Sequence, residues 1–259
     1  MPSTAASWKA TSEAQWRDSP RTVEYYFRDL LSSFFKGSER WQQLNPLRLP
    51  LRTWQLSWEL TSESTLDPLS SKAPLAFNGI ELFRTAYMRL LPNFNPDRGF
   101  FLGESHSGGT RNGYLRRSRY LTIAILYAAH ALSIPVRLGV ELIARTYIPF
   151  WSIEHSLCSF DCATLLNIWL KGLVITVHTN GMDGLKKSEK WLLSILTDII
   201  KETSFAQALG DVEGEASRSE QMSKTVVHLW ARIFSGAHVY EIDNVVKARF
   251  DRLAGLSQD

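Results

Sequence analysis

The stretch Leu126–Leu170, filled from Ala128 onward by AAHALSIPVRLGVELIARTYIPFWSIEHSLCSFDCATLLNIWL, decides the fold class. Its apolar residues recur at three- and four-residue spacing: Val136, Val140, Ile143 and Tyr147 share one helical face, and strand-like alternation is nearly absent. Pro135 is expected to end a helix running from about Tyr114 to Ser133 and to start the next one, because proline lacks the amide proton a helix interior needs and restricts the residue before it. A longer helix should follow Trp151, starting near Ser156 or Ser159 and running into Leu173. Leu173 to Val177 is β-branched and preceded by Gly172, which favours a short strand. Within the longer helix, Asp161, Thr164, Asn167 and Lys171 fall three to four apart and form a polar stripe, read as the wet edge of a soluble helix.

The same periodicity continues outward in both directions. Val23, Tyr26, Phe27, Leu30, Leu31 and Phe34 form one stripe behind Ser19-Pro20, which supplies a cap and a first-turn proline. Pro74 opens a helix with Ile80, Phe83, Tyr87 and Leu90 on one face, and Pro92 stops it. Asn93 to Gly113 reads as a long loop. Asn180-Gly181 turns the chain, and Leu192, Ile195, Leu196 and Ile199 mark another helix. GDVEGEASRS, residues 210–219, is acidic, small and polar and reads as a flexible linker. Two helices follow it, one with Met222, Val226, Trp230 and Ile233 closing at Gly236, the other with Val246, Phe250 and Leu253 behind a cap at Asp243. The expectation is an all-α, layered multi-helical bundle of about nine to eleven helices with at most one short strand pair. Residues 1–18 are expected as a flexible N-terminal segment and 19–256 as the helical domain.

Four phrases occur in fixed order: WRDSP with YYFRDLLSS at Trp16–Ser33, NPLRLPLRTWQLSWELTSESTLDP at Asn45–Pro68, the stretch quoted above, and VVHLWARIFSGAHVYEI at Val226–Ile242. Together they resemble the regulatory region of fungus-specific transcription factors, most closely the type found downstream of two-cysteine, two-histidine zinc fingers in filamentous fungi. The resemblance spans nearly the whole chain. It implies a helical, non-enzymatic domain in the nucleus, or in the cytoplasm for the isolated chain, acting on RNA polymerase II transcription through protein contacts and a small effector. Such regions usually carry further helices upstream, so the chain is expected to be the C-terminal part of a larger domain. In that case an apolar face around Tyr26, Leu30 and Phe34, with the bulky C-terminal faces of Trp230, Ile233, Phe250 and Leu253, would be left for a partner or for self-association.

Cysteine arithmetic sets a limit that does not depend on the resemblance. A classical finger needs two cysteines and two histidines at fixed spacing, and this chain has only Cys158 and Cys162, with His178 alone until His228. No zinc is therefore expected in this chain, and DNA would be read only through a module outside it. With 259 residues, 44% hydrophobic, 21% charged and a net charge of +3, the chain can bury a sizeable core but lacks a concentrated basic face for phosphates. Arg111, Arg116, Arg117 and Arg119 are expected as a solvated helix start, and Lys186, Lys187 and Lys190 likewise. The N-terminus has no apolar core of a secretory signal, and the apolar run Tyr120 to Ile134 falls short of the about 20 residues a bilayer span needs, so no membrane is expected.

Chemistry is sparse. His155, Cys158 and Cys162 stand at i, i+3 and i+7 and could offer two thiolates and an imidazole to zinc, but a fourth ligand is not evident, and packing is the better reading. GESHSGG, Gly103 to Gly109, lacks the second glycine of a nucleophile elbow and the strand before it. Trp54, Trp58, Tyr87, Tyr147 and Trp151 could line an apolar effector pocket, although helical cores use the same residues. Arg52, Arg84, Arg137 and Arg145 lie in or beside apolar faces, suited to internal ion pairs or to an anionic effector. Two other readings compete with the transcriptional one: a stand-alone interaction protein derived from such a factor, and an all-α metal-dependent enzyme built on His155, Cys158 and Cys162.

Overall fold

Residues 48–62, 64, 73–91, 94, 115–146, 153–207, 215–236 and 241–254 are described by a computed structural model. Among them the chain forms eight α-helices, two single 3-10 turns and no strand. It divides into two compact units at Leu90 and Leu91. The expected first helix with Tyr26, Leu30 and Phe34, the N-terminal segment 1–18, and most of the loop before Gly113 lie outside the described residues.

In the first unit, α1 (Arg48–Glu59) packs on α2 (Ala73–Arg89). Pro74 sits in the first turn of α2, where its missing amide proton costs nothing. Ile80, Phe83 and Tyr87 form the buried face. Trp54 stacks on Trp58 at 5.5 Å and on Phe83 at 5.4 Å. The indoles lie over Gly79, where a Cβ would touch Trp58 at 3.5 Å and Trp54 at 3.6 Å. Arg84 is buried and pairs with Glu81 one turn earlier.

The second unit is built around α5 (Ile153–Asn180), a 28-residue helix apolar on nearly every side. α3 (Arg119–Leu138) and α7 (Glu215–Ile233) cover its flanks, with α7 making the broadest helix–helix contact among the described residues, and α8 (Glu241–Ala254) packs on both α5 and α7. α6 (Lys187–Lys201) lies against α3, and the short α4 (Val140–Arg145) bridges α3 and α7. Phe250 of α8 closes an aromatic cluster with Phe160 at 6.0 Å, Trp230 at 6.3 Å and Phe234 at 5.5 Å. Rings at such separations and tilts add favourable quadrupole contacts to the burial of their area. Buried polar ties fix the register: the Ser223 hydroxyl donates to Asn167 Oδ1 at 2.7 Å, and the Ser156 hydroxyl donates to Asp243.

Several expectations are corrected here. Eight helices are found among the described residues rather than nine to eleven. Leu173 to Val177 continues α5 instead of forming a strand, since Leu173 and Val177 are buried against neighbouring helices and that packing outweighs β-propensity. Pro135 does not end α3. It stands three residues from the helix end, and the break comes at Gly139, whose φ of 96° leaves the helical region. The helix start is set by Ser118, whose hydroxyl accepts from the Leu121 amide at 3.2 Å. Within the span read as a linker, residues from Glu215 onward are already helical. Asp243 is not a cap but a first-turn residue of α8, buried and bonded to Ser156. Trp230, Ile233 and Phe250 are buried in the second unit, and Leu253 is partly exposed.

Two of these helices, Arg119–Leu138 and Ile153–Asn180, are long and apolar enough to cross a membrane; the first extends past the run Tyr120 to Ile134 that sequence alone marks as too short. Both lie within the helical packing, with 83% and 61% of their most apolar windows buried.

Candidate functional site

Where α3 begins, the middle of α5, the start of α6 and the end of α8 leave a cavity of about 560 Å³ between them. That volume falls within the roughly 300–1,000 Å³ typical of small-molecule sites. Its apolar wall includes Leu121, Phe160, Ile168 and Leu253. Its polar side is the α5 stripe Thr164, Asn167 and Lys171, followed by Gly172.

That stripe was expected to face water. Instead Asp161 is fully buried and Asn167 is 7% exposed, while Lys171 alone of the four is exposed. Thr164 has its hydroxyl buried without a hydrogen-bond partner among the described residues. Later in the same helix Thr176 and Thr179 donate to the carbonyls four residues back, at 3.0 and 2.8 Å. This back-bonding is the usual resort of a helical threonine, and Thr164 does not use it. The Asn167 side chain accepts from Ser223 through Oδ1, and its amide nitrogen has no partner among the described residues.

Arg117 was expected as part of a solvated helix start. It is exposed there, and it is also tied down: its Nε stands 3.0 Å from Glu189 of α6, and its other nitrogens donate to the Gly184 carbonyl and the Thr176 hydroxyl, both at 3.2 Å. Glu189, buried at the third position of α6, also accepts from the Lys186 amide at 2.8 Å, which satisfies an open helix-start donor. Arg116 is exposed, as are Lys186, Lys187 and Lys190, and Arg119 lies over the Tyr120 ring at 5.7 Å. Arg111 lies outside the described residues. Arg249 of α8 completes the charged lining, which thus carries three cationic side chains against one carboxylate.

The other sequence candidates fall elsewhere. His155, Cys158 and Cys162 share a face of α5 and are buried, with the sulfurs 3.8 Å apart. Among the described residues no three histidine, cysteine or acidic side chains are grouped to hold a metal ion. Trp54, Trp58 and Tyr87 belong to the packed face of the first unit and do not line the cavity; Tyr147 and Trp151 lie outside the described residues, as does GESHSGG. Arg84 forms the expected internal ion pair with Glu81, and Arg145 stands 4.0 Å from Glu141 on the surface. The stronger partner of Glu141 is Arg232 of α7, which approaches with Nε at 2.9 Å from one carboxylate oxygen and a second nitrogen on the other.

With this geometry in place, the sequence comparison gives the class. Residues 104–252 match the fungal transcription factor C-terminal domain, and the chain belongs to that family. The match covers more than half of the chain, and every cavity-lining residue except Leu253 lies inside it. The family is in general non-enzymatic, and membership ties the chain to regulation of transcription. Neither the curated proteins nor the solved structures yield a match.

Proposed function

We propose that the chain is a non-enzymatic regulatory domain of a fungal-type transcription factor, working in the nucleus and modulating RNA polymerase II transcription through protein contacts and a small effector. The observation that carries this reading is the overlap of the family match, residues 104–252, with the helical core of the second unit from α3 to α8. DNA would be reached through a zinc-finger module outside these 259 residues, because no histidine pair follows Cys158 and Cys162 at finger spacing.

Tethering is the direct test. The chain is fused to a heterologous DNA-binding domain and placed upstream of a reporter in a fungal host. A several-fold rise or fall in reporter output over the DNA-binding domain alone is expected. An unchanged reporter, with the fusion expressed and folded, would sink the transcriptional reading and favour the stand-alone interaction protein.

A further inference from the structure

We infer that the cavity between α3, α5, α6 and α8 binds a small apolar monocarboxylate. The inference rests on the effector part of the reading above and gives it a place and a chemistry. Four observations point the same way.

Its size and lining suit a compact apolar body, with Leu121, Phe160, Ile168 and Leu253 forming the wall. Inside it, the Thr164 hydroxyl is buried without a partner and the Asn167 amide nitrogen has none among the described residues. Buried polar groups are almost always hydrogen-bonded, so the orphaned Thr164 hydroxyl is an exception that calls for a partner, and the neighbouring Asn167 amide nitrogen, which is not among the buried orphans, is a donor on the same helix face. Charge selects the ligand's sign. Arg117 is held by Glu189, whereas Lys171, one turn beyond Asn167, makes no ion pair among the described residues. With Arg249 also in the lining, cationic side chains outnumber carboxylates, which favours an anion, and the apolar wall favours one carried on a hydrocarbon body, a carboxylate.

Gly172 is the fourth observation. It sits inside a 28-residue helix and lines the cavity, and a Cβ there would meet nothing within 4 Å. A glycine in a helix interior is unfavourable, and here no neighbouring atom explains it. The open space over it is where a ligand can approach the backbone closely.

Decanoate serves as the probe, with 1-decanol as its uncharged counterpart, and binding to the full 259-residue chain is measured by calorimetry. Decanoate should bind more tightly than decanol. Lys171→Met should weaken decanoate about fivefold at low salt and leave decanol unchanged, as expected of one exposed charge. Gly172→Leu, whose Cβ meets nothing within 4 Å and whose branched end extends into the cavity, should abolish binding of both while the thermal transition is kept. Equal binding of acid and alcohol, no binding of either, or indifference to Gly172→Leu would each overturn the proposal. The tethered reporter separates the two ideas: an active reporter without decanoate binding sinks the cavity alone, and decanoate binding with an inert reporter sinks the transcriptional reading alone.

Discussion

Gly236 and Ala144 are in backbone contact: a Cβ at position 236 would lie 2.0 Å from the Ala144 carbonyl oxygen and 2.9 Å from its carbon. Only a hydrogen fits there. The contact seats the short α4 against the turn that ends α7. Gly236→Ala must therefore push the two segments apart, and the expected cost is about 1–3 kcal/mol, the usual range for overpacking. Urea unfolding checks it. A midpoint shift equivalent to less than about 0.5 kcal/mol, the range of ordinary surface substitutions, would show that α4 gives way freely.

The Glu141–Arg232 pair ties the same two elements electrostatically and should give stability a pH signature. The hydrogen bonds and charge of Arg232 hold the Glu141 carboxyl below its ordinary value of 4.5, with Arg145 adding a smaller pull. A carboxyl depressed in the folded state stabilises above its unfolded value and loses that contribution as pH falls through the folded one. Arg232→Gln should thus lower the unfolding midpoint at pH 7, and the gap to the parent chain should close as pH drops well below 4.5. The gap should also shrink in high salt, since both partners reach solvent. A gap independent of pH would assign the effect of Arg232 to packing.

Replacing Gly172 by alanine should raise stability by about 1 kcal/mol, the difference between the two residues in a helix interior. Nothing within 4 Å of the added methyl opposes the gain. A loss of stability in thermal melting would mean that the space over Gly172 is not open.

Cys158 and Cys162 are not joined in a disulfide; their sulfurs are 3.8 Å apart and both residues are wholly buried. In the native chain both thiols should react with a disulfide reagent only as fast as the protein opens, whereas in urea they should react at once. Replacing either with alanine should cost about 1–3 kcal/mol as a buried volume is lost. Rapid labelling of the folded protein would contradict the packing role.

The sequence carried the fold's helical character and the buried faces of α2, α7 and α8, because a three-to-four residue rhythm is a local property. Ends were harder. Pro135 lies inside α3 because the helix terminates at Gly139, and the Leu173 to Val177 segment stays helical because tertiary burial prevails over local preference. The site was half legible: periodicity put Thr164, Asn167 and Lys171 on one face of α5, but it cannot say what stands opposite. That role falls to Arg117, Glu189, Arg249 and Leu253, which lie on other elements far along the chain. Gly172 directly after Lys171 is the available signal, but standing before the β-branched Leu173 to Val177 it favours a strand there.

The central position of α5 has a consequence for biosynthesis. Its partners stand on both sides of it in sequence: α3 is made before it, but α7 and α8 emerge only after residue 215. Until then the nascent polypeptide displays a 28-residue apolar helix that meets the length and composition of a membrane segment. During that interval the chain is expected to need chaperone cover, because exposed apolar surface on incomplete domains is what aggregates. Ribosome stalling or truncation before α7 should thus be far more damaging to yield than a comparable loss after α8.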